Sequence, residues 1–125
     1  MVKSTLNWEL SVDRGPDCLF VKIRMPNKRA QGPGRLADTL WSILARHFIY
    51  RLVLEMEEVD RLPSPVIDEL VRLKTRIQEH GGMLRLCGLS ARCQKAIDAA
   101  YLPGDLPSYQ DRTDAVVGHH ASDAR

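Results

Sequence analysis

The chain has 125 residues and a mass of 14.1 kDa, the size of one domain, and such a domain buries roughly two-thirds of its unfolded surface without needing a disulfide or metal. Eighteen Lys and Arg against 16 Asp and Glu leave a formal net charge of +2, too balanced to indicate nucleic-acid binding. No apolar stretch approaches the roughly 18–20 residues of a membrane span, and Met1 to Thr5 do not open a signal peptide, so a cytoplasmic location is expected.

In chain order, Trp8 to Val12 alternate apolar and polar residues, the period of a half-buried strand. Asp13 to Asp17 read as a turn, and Cys18 to Met25 return as a longer strand, giving a hairpin. Residues 26–34 are polar, with two Pro and two Gly, and form a loop whose Lys28-Arg29 pair reads as solvated surface. Leu36, Leu40, Ile43, Leu44 and His47 fall at helical spacing over 35–48, with Trp41 at the edge of that stripe.

Arg51 to Met56 is a short apolar run without Gly or Pro, as expected of a strand covered on both faces, and Met83 to Cys87 is another. Between them lies the best punctuated helix of the chain. Ser64 offers an N-cap hydroxyl and Pro65 suits the first helical position. Val66, Ile67, Leu70, Val71, Leu73 and Ile77 mark the buried face, and His80-Gly81-Gly82 closes the helix. Ser90 is an N-cap candidate for a third helix carrying Cys93, Ala96, Ile97 and Ala100, which Pro103-Gly104 stops. Pro107 to Tyr109 look extended, and Asp111 caps a short helix through Val117. The expectation is an α/β domain over 1–117, with a small mixed sheet of about four strands in the order β-β-α-β-α-β-α-α. Residues 118–125 are read as a frayed tail.

Chemistry is sparse. The chain lacks G-x-S-x-G, Walker, G-x-G-x-x-G and H-E-x-x-H patterns. Cys18, Cys87 and Cys93 form no C-x-x-C pair and read as small core residues. Glu55, Glu57, Glu58 and Asp60 lie at a strand end and read as solvated charge, while His119-His120 lacks a third ligand. No cofactor or metal is expected.

The informative stretch is Asp60 to Val66. A hydroxyl where a helix begins meets free N–H groups and the positive end of the dipole. A phosphate there would add about −1.5 to −2 charge in a setting that tolerates it. The competing reading is that Ser64 only caps the helix.

At these residues the chain resembles the STAS domain family, the anti-sigma-factor antagonists. The resemblance rests on Leu52 to Met56, Val59, the Ser64 turn, Leu70 and Leu73, Gly81 to Leu86, Gly88-Leu89, Tyr109 to Asp111 and Asp114 to Val116. It implies a non-enzymatic binding domain whose partner is a serine kinase that also acts as an anti-sigma factor. In that scheme phosphorylation at the start of the central helix abolishes the contact. The implied docking residues here are Asp60, Arg61, Pro63, Ser64, Pro65, Val66, Asp68 and Glu69, in a monomer or weak dimer. The family commonly reads Asp-Ser-Ser/Thr-Gly at this turn, whereas Pro63-Ser64-Pro65-Val66 stands here. Pro65 thus takes the usual acceptor position: either Ser64 is the acceptor instead, or the switch is lost and the domain is a constitutive scaffold. A small-molecule or nucleotide binder, with a pocket near Asp60 and loop 26–34, is the alternative from another class.

Overall fold

The structure is a computed structural model that describes residues 2–4, 9–24, 36–60, 62–100, 106 and 108–117. Trp8, Met25, loop 26–34 with Lys28-Arg29, Arg61, Pro103-Gly104, Pro107 and the tail 118–125 with His119-His120 lie outside the described residues.

Six strands form one sheet in sequence order: β1 (Val2–Ser4), β2 (Glu9–Arg14), β3 (Leu19–Arg24), β4 (Arg51–Glu58), β5 (Met83–Cys87) and β6 (Ser108–Tyr109). β1, β2 and β3 pair antiparallel, and β3 through β6 are parallel. Three helices make the crossovers: α1 (Leu36–His47), α2 (Ser64–Glu79) and α3 (Ala91–Ala100). Each crossover steps one strand in the same direction. Right-handedness therefore puts all three helices on one face of the sheet. The short α4 (Arg112–Val117) follows β6 and covers the other.

The expected strands and helices are present, with two additional edge strands. β1 and β6 have three and two residues, too short to show a period. β2 also runs on through Asp13 and Arg14, so the hairpin turn is narrower than the composition indicates. It closes with the Gly15 amide donating to the Cys18 carbonyl at 2.8 Å.

The period of two along β4 divides its side chains between two cores. Leu52, Leu54 and Met56 join Leu40, Leu44, Leu70, Leu73, Ile77 and Ile97 under the three helices. Val53 turns the other way, to Cys18, Phe20, Cys87 and Ala115 beneath α4. Burying one such leucine stabilises the fold by about 1.5–3 kcal/mol. None of the described helices is long and apolar enough to cross a membrane.

Helix ends follow local chemistry. The Ser90 hydroxyl accepts from the Cys93 amide at 3.1 Å and Asp111 Oδ1 accepts from the Asp114 amide at 2.9 Å, both as expected of N-caps. At the end of α2, Gly81 (φ 73°) donates to the Gln78 carbonyl and Gly82 to that of Ile77, a Schellman arrangement.

Candidate functional site

α2 starts one residue earlier than the capping pattern suggests. The Ile67 amide donates to the Pro63 carbonyl at 3.2 Å, and Pro63 has extended backbone (φ −63°, ψ 153°), so Pro63 is the N-cap. Ser64 is the first helical residue and Pro65 the second, and no side chain caps the helix. The expectation that Ser64 is the N-cap is therefore corrected. Its hydroxyl is free of protein partners among the described residues and faces solvent.

The two prolines also change the electrostatics of the helix tip. Neither has an N–H, and the Val66 and Ile67 amides both donate to the Pro63 carbonyl. Only the Ser64 amide remains as a first-turn donor. The tip keeps its dipole but offers no cradle of N–H groups. With no cap to lose, Ser64→Ala is expected to change stability by less than about 0.5 kcal/mol. A loss near 1 kcal/mol in urea unfolding would restore the capping role.

The remaining docking candidates divide into two groups. Asp60, Pro63, Pro65 and Asp68 are exposed around Ser64. Val66 is 1% exposed and packs into the core, so its side chain is not on this surface. Glu69 is half-buried and holds α1: its Oε1 accepts from the Ala37 amide at 3.0 Å, and its Oε2 from Arg72 at 3.1 Å. Its position fits an anchor at the positive end of α1 better than a free docking group. From the tip, a shallow groove of about 620 Å³ runs along the outer face of α2, lined by Asp68, Val71, Arg72, Thr75, Arg76 and Glu79.

The acidic set is not uniformly solvated. Glu55 is 7% exposed and receives two hydrogen bonds from Arg112, at 2.8 and 3.0 Å. Arg112 also donates to Asp13 at 2.9 Å and lies 4.2 Å from the Phe20 ring centre. The expectation of solvated charge holds for Glu57, Glu58 and Asp60 and fails for Glu55. The sequence hint was a carboxylate inside an apolar strand run; its partner, 57 positions away, carried no local signal.

Glu55, Glu57 and Cys87 bring three ligand atoms within 4.8 Å of one another. Both Glu55 oxygens are committed to Arg112. Burial, with Glu57 and Glu55 adding to it, pushes the Cys87 thiol up to about 12. This chemistry suits an ion pair beside a buried thiol better than a metal centre. Ligands of open α/β sheets favour a crevice where successive crossovers diverge, and here all three step the same way. The topology therefore supplies no switch point of that kind, and the pocket expected near Asp60 and loop 26–34 involves residues outside the described ones.

Comparison with protein-family models finds no match, and neither does comparison with curated protein sequences. Solved structures do match. An anti-sigma-factor antagonist (STAS) domain protein from Planctomyces limnophilus superposes at TM-score 0.70 with 19% identity, over 87% of this chain and 96% of that one. RsbS from Moorella thermoacetica, carrying a serine-to-glutamate substitution, gives TM-score 0.65 and 13% identity over 85% and 92% of the two chains. A proposed anti-sigma factor antagonist from Thermotoga maritima gives 0.68 and 15% over 87% and 92%. At these identities the likeness establishes the fold, and the fold is that of STAS domains.

Proposed function

We propose that this chain is a non-enzymatic regulatory module that docks a kinase-like anti-sigma partner through the tip of α2. The docking surface is Asp60, Pro63, Ser64, Pro65 and Asp68, continued by the α2 groove. The observation that carries this reading is Ser64, an exposed residue whose hydroxyl has no protein partner among the described residues, held between two prolines that stiffen the turn. A rigid protrusion is ordered before it binds, which lowers the entropy lost on association. The STAS fold supports the class of partner.

In this reading a phosphate on Ser64 acts by charge and bulk at the contact itself, since the tip lacks the donors to fold it back onto the helix. Ser64→Asp is expected to weaken binding to a histidine-kinase-like ATPase recovered from the native cell by about tenfold or more. The same variant should unfold at nearly the wild-type urea concentration. Equal binding by Ser64→Asp and wild type would remove the switch.

A second reading is favoured by Pro65, which stands where related domains carry the modified hydroxyl. There the module is a scaffold that docks constitutively. Phosphate-affinity electrophoresis of protein from its host separates the two: one unshifted band under every growth condition selects the scaffold.

A further inference from the structure

Phe48, the residue after α1, is unusual in two independent ways. It is 85% exposed, and its backbone lies in the left-handed region at φ 56°. That conformation at the C-terminal end of a helix is normally supplied by glycine, because a Cβ is strained there. An aromatic ring that is both strained and bare contributes nothing evident to folding.

Its surroundings are specific. Arg46 and Arg51 flank it in sequence, both exposed, and neither has an ion pair among the described residues. Arg24, Arg72, Arg76 and Arg112 are each paired with a carboxylate, whereas Arg14 and Arg92 are, like Arg46 and Arg51, exposed without an ion pair among the described residues. What sets Arg46 and Arg51 apart is the exposed ring of Phe48 between them in sequence. Beside this segment Tyr50 stacks on His80 at 5.1 Å, and Trp41 meets His80 edge-on at 4.7 Å. These half-buried and exposed rings form an aromatic shelf at the start of β4. Ser64 lies at the opposite end of both β4 and α2, and the 16 residues of α2 span about 24 Å.

We propose that the Phe48 end is a second docking surface, which takes an acidic protein segment presenting apolar side chains to Phe48 and carboxylates to Arg46 and Arg51. The charge pattern selects this partner. Membrane recruitment through basic residues uses clusters of about 4–8 Lys and Arg, and two arginines fall short of that. Nucleic-acid binding needs a basic stripe that the near-balanced charge of the chain does not provide. The surface stands independently of the Ser64 reading, and two ends facing apart would let one module join two proteins.

The test uses the full ¹⁵N-labelled chain titrated with a short peptide of two leucines flanked on both sides by glutamates. Amide shifts are expected at Arg46 to Arg51 and at His80, with Ser64 to Ile67 unmoved. Phe48→Gly and Arg51→Glu should each weaken binding about tenfold or more. Phe48→Gly should also raise the melting temperature by roughly 3 °C, because glycine relieves the left-handed strain. The proposal is overturned by an absence of shifts at millimolar peptide, or by equal binding of a peptide with lysine replacing glutamate. It is overturned equally if phosphatidylserine vesicles move these amides and the peptide does not, or if Phe48→Gly destabilises the fold.

Discussion

Arg112→Ala is expected to lower the unfolding free energy by about 2–3 kcal/mol, a large share of what a domain of this size possesses. The guanidinium meets both oxygens of Glu55 in a forked geometry, whose side chain is 9% exposed. Removing the cation leaves that carboxylate in the sheet beside Val53 and Cys87 without its charge partner. Breaking a buried pair in this way typically costs about 3–5 kcal/mol. The figure is reduced here because the Arg112 side chain is 41% exposed, so solvent reaches Glu55 once the guanidinium is gone. The hydrogen bond to Glu55 is also the main reason the Arg112 pKa is raised above its ordinary value, so the pair stays charged from the arginine side at any ordinary pH. Urea unfolding of Arg112→Ala, Glu55→Gln and the double variant gives the coupling directly. Glu55→Gln in the Arg112→Ala background should recover much of the loss, since an amide is far less costly to bury than a carboxylate. A loss below about 0.5 kcal/mol for Arg112→Ala would mean that the pair behaves as surface charge.

The same pair shows what the sequence could and could not disclose. α2 was legible because everything that defines it is local: apolar residues at helical spacing and a Gly81-Gly82 stop. Its first turn begins one position before the pattern indicates, because Ser64 and Pro65 fit the cap and first-position preferences as well as Pro63 and Ser64 fit the structure. The choice is made by the Pro63 carbonyl, which accepts from Val66 and Ile67. β1 and β6 exist by virtue of their neighbours. Ser108 and Tyr109 read as extended from the sequence, but it is Leu86 and Cys87 alongside them that make them a sheet strand. Phe48 gave no sign either. A phenylalanine after a helical stripe reads as one more apolar residue, and only the backbone shows it left-handed and turned to solvent. At the candidate site, exposure of Asp60, Ser64 and Asp68 followed from polarity and turn chemistry. The inward turn of Val66 could be read from the α2 stripe, whereas the attachment of Glu69 to α1 depends on a contact 32 positions away.

Gly82→Ala is expected to cost about 3 kcal/mol, at the upper end of overpacking penalties. The two glycines that end α2 serve different purposes. Gly81 supplies a left-handed residue (φ 73°) in open space, with no atom within 4 Å of an added Cβ. Gly81→Ala should therefore cost only the conformational strain, about 1 kcal/mol. At Gly82 an added Cβ would overlap the Tyr50 carbonyl oxygen and come within 2.8 Å of the Tyr50 Cβ. That carbonyl accepts from the Met83 amide at 3.0 Å, the contact at which β5 begins to run beside β4. An alanine must therefore either part the two central strands at their start or swing Tyr50 out of its stack with Trp41 and His80. Backbone on one side and a packed ring cluster on the other leave no flexible side-chain end to yield. Urea midpoints for the two alanine variants decide the matter. If Gly82→Ala loses no more than Gly81→Ala, the strands relax around the methyl and the close approach is not what fixes glycine at this position.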